Sequence, residues 1–192
     1  MAIWYIDPRI AAADESDAFD GGYGTGNLRD SWADVTWTAG DYYFQARGSL
    51  YVGAVTIAGS GSGADKITID AYGESDYGPR INANAATTGC FYATGRSDIV
   101  IAGGYVLYGA TGFPAGGIHF LNCNRMSASD FDSHGNEYGV RIDNNTTGEV
   151  GDITIADFRV ANSEQTGFVV VTGTGAGGTI RKVRLRDGRI TN

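Results

Sequence analysis

A dense group of residues suited to acid–base chemistry runs from Asp130 to Glu137. If Ser133 points inward in a strand there, Asp132 and His134 project together on the outer face. A carboxylate beside an imidazole, with a glutamate nearby, could provide general acid–base catalysis at a glycosidic bond. The alternative is polar decoration of an exposed strand and bend. The catalytic candidates are Asp130, Asp132, His134 and Glu137.

Two further sets of residues suit the binding of an acidic sugar. His119 and Arg141 occupy equivalent outward positions in neighbouring repeats, where they could contact a carboxylate. Lys182, Arg184 and Arg186 alternate along one strand and form a basic patch that could bind a uronate chain. The alternative for the first set is a pair that simply faces solvent. The second set could instead contact an acidic partner, or prevent wrong strand pairing at an exposed sheet edge.

Three carboxylates, Asp130, Asp157 and Asp187, recur at intervals of 27 and 30 residues. Stacked at a strand spacing of about 4.8 Å, each adjacent pair would repel by roughly 3 kcal/mol before screening. A bound Ca²⁺ could offset that repulsion. The alternative, which we prefer, is a ladder of turns in which each carboxylate accepts backbone N–H groups.

The acidic segment from Ala11 to Asn27 is predicted to be a loop whose carboxylates could also chelate Ca²⁺. Their spacing does not match an EF-hand, so a solvated loop is the simpler interpretation. We therefore predict no metal site and no cofactor, and keep Ca²⁺ as the alternative. The four carboxylates are Asp14, Glu15, Asp17 and Asp20.

The elements that must position these residues form a repeat. Apolar positions recur at intervals of 32, 27, 27 and 30 residues, at Ile67, Ile99, Met126, Ile153 and Val183. Each repeat opens with apolar residues at every second position, which is the period of a strand. The intervening segments leave no room for a crossover helix. Stacked units of this length predict an all-β parallel β-helix with about 27–32 residues per coil.

A second alternating segment follows within each repeat, introduced by glycine. In this alignment Cys90 takes the position of Ile118 and points inward, while Cys123 lies in a bend. We expect both cysteines to be free thiols. The inward residues should include Ile99, Ile101, Ile118, Ile153, Ile155, Phe168, Val183 and Leu185.

The N-terminal region differs from the repeat. We assign residues 1–57 to a cap and first coil, and residues 58–192 to β-helix coils whose C-terminal end is open or truncated. A short helical turn is expected between Ser31 and Thr36, with Asp30 or Ser31 as its N-cap. The region is rich in aromatic rings that could seal the solenoid end or form a sugar platform: Trp4, Trp32, Trp37, Tyr42, Tyr43, Phe44 and Tyr51.

Composition excludes several classes of protein. The formal net charge is −8 at pH 7, which disfavours nucleic-acid binding and an anionic membrane surface. No apolar run approaches the length of a membrane span, and the N-terminus lacks the pattern of a signal peptide. The 30 glycines far exceed the roughly 13 expected from an average of about 7%. They indicate many sharp bends.

A specific resemblance lies between Ile3 and Ala83, in the blocks IWYIDP, AGDYYF, VTIAGSGSG, KITIDAYG and PRINA. In this order they resemble the N-terminal portion of the right-handed parallel β-helix superfamily, which includes pectate-lyase-like polysaccharide lyases and phage tailspike-type proteins. The resemblance implies a single-stranded right-handed parallel β-helix. Such lyases need a Lys or Arg base and often Ca²⁺. This chain has only Lys66 and Lys182 as lysines, and no intact lyase motif.

The resemblance leads to three functional hypotheses. The first is a virion-associated or surface-exposed module of tailspike or tail-fibre type that engages polysaccharide. The second is a lyase or glycoside hydrolase acting on an acidic polysaccharide, and the third is a purely structural spacer. The expected partners are a polysaccharide or cell-surface glycan and copies of the chain itself, as a trimer by resemblance. Assembly in the cytoplasm would precede a virion or extracellular location, since no signal peptide is seen.

Overall fold

A computed structural model describes residues 1–172 and 178–191. Apart from two short 3-10 helices, Ala12–Asp14 and Trp32–Asp34, its regular elements are strands. In chain order these are β1 Ile3–Ile6, β2 Ser16–Asp20, β3 Thr25–Arg29, β4 Tyr42–Ala46, β5 Leu50–Val52, β6 Val55–Ile57, β7 Ile67–Tyr72, β8 Arg80–Asn82, β9 Gly89–Thr94, β10 Ser97–Ile101, β11 Tyr105–Tyr108, β12 Gly116–Leu121, β13 Asn124–His134, β14 Tyr138–Asn144, β15 Glu149–Ala161, β16 Thr166–Thr172, β17 Thr179–Arg186 and β18 Arg189–Thr191.

The strands stack into a parallel β-solenoid with three faces. The first face carries β1, β4, β7, β10, β17 and the first halves of β13 and β15. The second face carries β5, β8, β11, β18 and the second halves of β13 and β15. The third face carries β6, β9, β12, β14 and β16. The prediction of an all-β solenoid of stacked coils is therefore confirmed.

The predicted register of the first face is also confirmed. Ile99 pairs with Ile67 on one side and with Met126 on the other, and Ile153 pairs with Val183. Equivalent side chains therefore lie above one another in the core. Such stacking buries apolar surface against the next coil and supplies most of the driving force for folding.

The corner between the first and second faces is made by a single residue with left-handed backbone. Gly103 (φ 109), Asp130 (φ 54), Asp157 (φ 48) and Asp187 (φ 47) occupy this corner in four successive coils. Because one such residue turns the chain without ending the strand, β13 and β15 continue from one face onto the next. Aspartate tolerates this conformation better than most residues with a Cβ.

The core follows the predicted inward rows. Ile99, Ile101, Ile118, Ile153 and Ile155 are each at most 1% exposed, and Phe168 and Val183 are partly buried against them. Leu185 is in register with Ile155 but remains 46% exposed. Among the residues that the structure describes, no further strand pairs beyond β17, so the last inward row is covered on one side only.

Two predictions about local structure were wrong. The segment from Ala11 to Asn27 is not a loop, because β2 and β3 form an antiparallel hairpin whose second strand pairs in parallel with β1. The alignment of Cys90 with Ile118 is off by one residue, because Phe91 is the partner of Ile118. The prediction matched Gly89 with Gly117, whereas in the structure Gly89 pairs with Gly116.

Other local predictions were confirmed. Ser31 caps the second 3-10 helix, since its hydroxyl accepts a hydrogen bond from the Ala33 N–H at 3.1 Å. Cys90 and Cys123 are free and buried. Burial raises the pKa of the Cys90 thiol to about 12 and that of Cys123 to about 11, which keeps both protonated at neutral pH. No helix in the described ranges is long and apolar enough to cross a membrane.

Candidate functional site

A row of polar side chains runs across the third face of the solenoid. Tyr92 on β9, His119 on β12 and Arg141 on β14 are aligned in register on three successive strands. Asp143 lies two residues beyond Arg141 and therefore projects from the same outer side of β14. Three strands thus bring an imidazole, a guanidinium, a carboxylate and a phenol to one part of the surface.

These outward side chains line a cleft of about 340 Å³, and most of them are buried although they point away from the core. His119 is 2% exposed, Arg141 is 4% exposed and Asp143 is 8% exposed. Their cover comes from the segments before β9 and β12, including Thr88 and the exposed ring of Phe113. A buried group of ionisable residues beside a cleft is a candidate functional site.

The imidazole of His119 is held at both nitrogens. Its Nδ1 lies 2.8 Å from the carbonyl oxygen of Thr88, and its Nε2 lies 3.0 Å from Oδ2 of Asp143. Both neighbours are hydrogen-bond acceptors. A neutral ring donates through one nitrogen and a charged ring through both, so in either state these two contacts hold the imidazole in one orientation.

Asp143 is the centre of this cluster. Its Oδ2 accepts hydrogen bonds from His119 and, at 2.6 Å, from Nε of Arg141. Burial alone would raise the pKa of Asp143, but the hydrogen bonds and charges of His119 and Arg141 together hold that pKa below its ordinary value. The other oxygen, Oδ1, is buried and has no hydrogen-bond partner among residues 1–172 and 178–191. It is therefore an unpaired acceptor buried beside the cleft.

The guanidinium of Arg141 packs into the corner formed by two aromatic rings, Phe113 and Tyr138, whose planes are 72° apart. Its central carbon lies 4.6 Å from the ring centroid of Phe113 and 4.8 Å from that of Tyr138. Such cation–π contacts fix the plane of the group. Within the described part of the chain, only Nε is engaged in a hydrogen bond, so the two terminal nitrogens keep their donors for a ligand.

Two of the four predicted acid–base candidates, Asp130 and Asp132, line one cleft, whereas His134 and Glu137 do not. Ser133 does point inward, and Asp132 and His134 do lie on the outer side of the second face. Asp132 pairs with Arg159 at 3.6 Å, while the ring of His134 stacks on Tyr108 at 5.5 Å.

The two outer members of this set occupy different places, since Asp130 shares a cleft with Asp132 and Glu137 does not. Asp130 sits at the corner between faces, and Glu137 is buried beyond Gly135, which has left-handed backbone. Across the described ranges, no hydrogen bond or ion pair joins Asp130, Asp132, His134 or Glu137 to another member of the set. Their catalytic role stays a prediction.

The predicted basic patch divides into two parts. Lys182 has left-handed backbone and pairs with Asp152 at 3.2 Å. Arg184 and Arg186 are exposed, with side chains on the outer side of β17, where a ligand could reach them. Binding of carbohydrate by Lys182, Arg184 or Arg186 stays a prediction.

The predicted carboxylate ladder exists, but with a different local structure from the one expected. Asp130, Asp157 and Asp187 line a shallow cleft of about 350 Å³ along the corner. No backbone N–H of the described residues donates to these three carboxylates. Their left-handed backbone, rather than a carboxylate–amide turn, accounts for the aspartates.

One group of described residues has ligand atoms close enough to hold a metal ion, and it is neither of the predicted sets. It consists of Glu15, Asp30 and Asp34 near the β2–β3 hairpin. Arg29 lies 3.8 Å from Glu15, and Glu15 also accepts a hydrogen bond from the backbone of Asp30. Desolvation and the neighbouring carboxylates raise the pKa of Asp30.

The fold and the cleft can now be set beside known proteins. No protein-family model matches the chain, and no curated protein sequence matches it. Among solved structures, the chain is similar to an alginate lyase from Paenibacillus sp. str. FPU-7, with a TM-score of 0.66 and 19% identity over 80% of this chain and 52% of that one.

A second similar structure is the native GH136 lacto-N-biosidase from Eubacterium ramulus. The TM-score is 0.51 and the identity is 13%, over 98% of this chain and 36% of that one. The chain thus spans about half, or less, of the length of these structures. At such identities the likeness shows the β-solenoid fold, and the site must be argued from its own residues.

Sequence reasoning identified His119 and Arg141 but missed Asp143, Tyr92 and the ring of Phe113. A signal for Asp143 was present, because a carboxylate two residues after Arg141 in a strand shares its face. Tyr92 was assigned one position away from its true register, because Cys90 rather than Phe91 was aligned with Ile118. Nothing in the sequence pattern indicates that Phe113 folds over the third face.

Proposed function

We propose that this chain engages an acidic polysaccharide in the cleft around His119, Asp143 and Arg141, and cleaves it by elimination. The observation that carries the proposal is a single buried carboxylate held between an imidazole and a guanidinium beneath an aromatic ring. Support for the substrate class comes from similar folds in an alginate lyase and a lacto-N-biosidase.

Each group has a part in the proposed reaction. The terminal nitrogens of Arg141 bind the carboxylate of a uronate ring and stabilise the negative charge that develops there. The phenolic oxygen of Tyr92, which has no hydrogen-bond partner among the described residues, carries the proton. In its deprotonated form it takes the proton from the carbon beside the carboxylate, a carbon–carbon double bond forms, and the bond to the glycosidic oxygen breaks. The Tyr92 phenol then returns that proton to the departing glycosidic oxygen, so atoms and charges balance and the phenolate is restored.

Hydrolysis is less well supported by the cleft. Glycoside hydrolases generally use two carboxyl groups on opposite sides of the scissile bond. Asp143 is the one carboxylate among the described residues that line the cleft. Elimination needs a charge-stabilising cation and a proton-transfer group instead, and the cleft offers both.

The test is the formation of unsaturated sugar ends, which absorb in the ultraviolet, from a panel of uronate polysaccharides that includes alginate and pectate. Tyr92→Phe removes one oxygen and keeps the ring, so product formation should fall by roughly 100-fold or more. Tyr108→Phe, on the second face, is the matched control and should match the wild type. A wild-type chain that forms no product from any uronate polymer contradicts the cleavage proposal.

A second candidate function is binding without cleavage, in a virion-associated or surface-exposed module of tailspike type. It is favoured by one observation: both nitrogens of His119 are hydrogen-bonded within the chain, which leaves Tyr92 to carry every proton transfer that cleavage would need. Retardation of the chain in gels containing polysaccharide, with no product formed, would support this candidate. Light scattering would test whether the chain forms a trimer. Mass spectrometry of purified virions would test whether it is a virion protein. Absence of both binding and product would favour a structural spacer.

A further inference from the structure

A second surface with unusual chemistry lies on the first face, on the N-terminal coils. Tyr42 and Phe44 project outward from β4, and their ring centroids lie 6.1 Å apart with planes 11° from parallel. The ring of Tyr23, from the turn between β2 and β3, stacks on Phe44 at 4.4 Å and 8°. We call Tyr23, Tyr42 and Phe44 the aromatic platform.

The turn that carries Tyr23 is fixed by its backbone. Gly22 (φ 94) and Gly24 (φ 116) adopt conformations that residues with a side chain rarely reach. The hydroxyl of Tyr5 donates to the Gly24 carbonyl at 2.7 Å and accepts from the Tyr23 N–H at 3.2 Å. Tyr23 is therefore anchored through its backbone while its side chain stays 57% exposed.

The platform differs from the other aromatic residues of the N-terminal region. Trp32 is 4% exposed and donates to Oε1 of Gln45, and Tyr43 is fully buried and donates to the Thr36 carbonyl. Those two rings belong to the buried core, and their role in sealing the end of the solenoid stays a prediction. Tyr23 and Tyr42, by contrast, keep ring surface in contact with solvent. Sealing the core does not explain why they are exposed.

The neighbourhood of Tyr42 is polar. Its ring borders a cleft of about 450 Å³ that is also lined by Asp65, Lys66 and Thr68. A carboxylate, an ammonium and a hydroxyl beside a flat apolar ring match a ligand with an apolar face and hydroxyl groups around its edge. A pyranose ring has this shape and polarity.

We propose that the aromatic platform is a second carbohydrate-binding site, in which sugar rings stack on the exposed surfaces of Tyr23 and Tyr42. The site is on the first face, whereas the cleft of His119 and Arg141 is on the third. The proposal rests on the proposed function only for the class of ligand, a polysaccharide, and requires no cleavage.

The test compares migration in native gels that contain alginate, pectate or a neutral glucan. Tyr23→Ala with Tyr42→Ala should raise the dissociation constant by roughly tenfold for the retarding polysaccharide. Tyr42→Phe keeps the ring and should bind as the wild type does. Tyr77→Ala is the matched control, because Tyr77 is 76% exposed and lies outside the platform. Circular dichroism and thermal melting would verify that each variant is folded.

The outcomes separate this proposal from the proposed function. Loss of binding in the platform variant, with no loss in Tyr77→Ala, supports the platform whatever the activity of the cleft. Unchanged binding in the platform variant, or an equal loss in Tyr77→Ala, overturns it. Loss of product in Tyr92→Phe with normal retardation would support the cleft alone and leave the test of the platform unaffected.

Discussion

Two arginine–aspartate pairs, one on each of two faces, show how differently the solenoid uses the same side chains. On the first face, Arg125 forms two hydrogen bonds of 2.7 Å with Asp98, and its side chain is 55% exposed. On the third face, the side chain of Arg141 is 5% exposed and pairs with Asp143, which also contacts His119.

The first pair is part of the repeat. Left-handed residues with alternating charge recur in four successive coils, at intervals of 27, 27 and 30 residues: Asp98, Arg125, Asp152 and Lys182. The coil places one such residue at the same corner each time, so opposite charges become neighbours along the stack. Their arrangement is explained by the fold and requires no ligand.

The second pair has no counterpart in neighbouring coils. Arg141 is in register with His119 on one side and Val169 on the other, and Asp143 with Leu121 and Val171. Burying these charges carries a desolvation penalty that the coil itself does not demand. The comparison therefore distinguishes a charge ladder built by the repeat from a charge cluster added to it. The added cluster is the better candidate for function.

The largest effect should come from breaking the added cluster. Asp143→Ala leaves the buried guanidinium of Arg141 without its carboxylate and Nε2 of His119 without its hydrogen-bond partner. The free energy of unfolding should fall by about 3–5 kcal/mol, as measured by urea denaturation. A fall below about 1 kcal/mol would show that the cluster is hydrated and that its burial has been overstated.

Lowering the pH should also weaken this cluster, because the Asp143 carboxylate becomes protonated. The pKa of Asp143 in the folded chain lies below its ordinary value of about 3.9. Its contribution to stability is therefore complete above about pH 4 and is lost as the pH falls through the folded-state pKa. Stability measured from about pH 6 down to pH 2 should fall less steeply in Asp143→Asn than in the wild type. Identical slopes would contradict the assigned pKa shift.

A smaller effect is expected from the repeated pair. Arg125→Ala leaves Asp98, whose side chain is 2% exposed, without its cation. The guanidinium that covers Asp98 is itself 55% exposed, so its removal opens the carboxylate to water, which the buried Asp143 cluster does not allow. The melting temperature should fall by less than in Asp143→Ala, and added salt should narrow the difference from the wild type because exposed charges are screened. A drop equal to that of Asp143→Ala would remove the distinction between the two pairs.

The smallest effect should come from the corner ladder. Asp157→Asn keeps a side chain that tolerates left-handed backbone and relieves repulsion from Asp130 and Asp187. Stability should stay within about 0.5 kcal/mol of the wild type or rise slightly. Chelator should leave the melting temperature unchanged. A loss of several degrees with EDTA that Ca²⁺ restores would instead indicate a metal site.

The fold could be predicted because the same apolar spacing recurs in several coils. The spacing of Ile99, Met126, Ile153 and Val183 defines the stacking, and each repetition reinforces the register. The errors fell where repetition is weak. The β2–β3 hairpin occurs once. Cys90 was misaligned because β12 begins with two glycines, and Gly116 rather than Gly117 is the partner of Gly89.

The candidate site was harder to predict for the same reason. His119 and Arg141 could be found because their outward positions follow from the register. Phe113 could not, because its place over Arg141 depends on a segment outside the regular strands. The burial of the cluster also depends on that segment. The sequence period reveals the features that all coils share, whereas this site depends on residues that do not recur from coil to coil.

The most direct test of this account is titration calorimetry of a short oligouronate into three chains. Arg141→Lys keeps the charge but loses the planar donor pair, so its affinity should fall roughly tenfold or more relative to the wild type. Arg125→Lys makes the same change in the repeated pair and should bind as the wild type does. If Arg125→Lys loses affinity while Arg141→Lys keeps it, or if none of the three chains binds, the cleft is not the polysaccharide site.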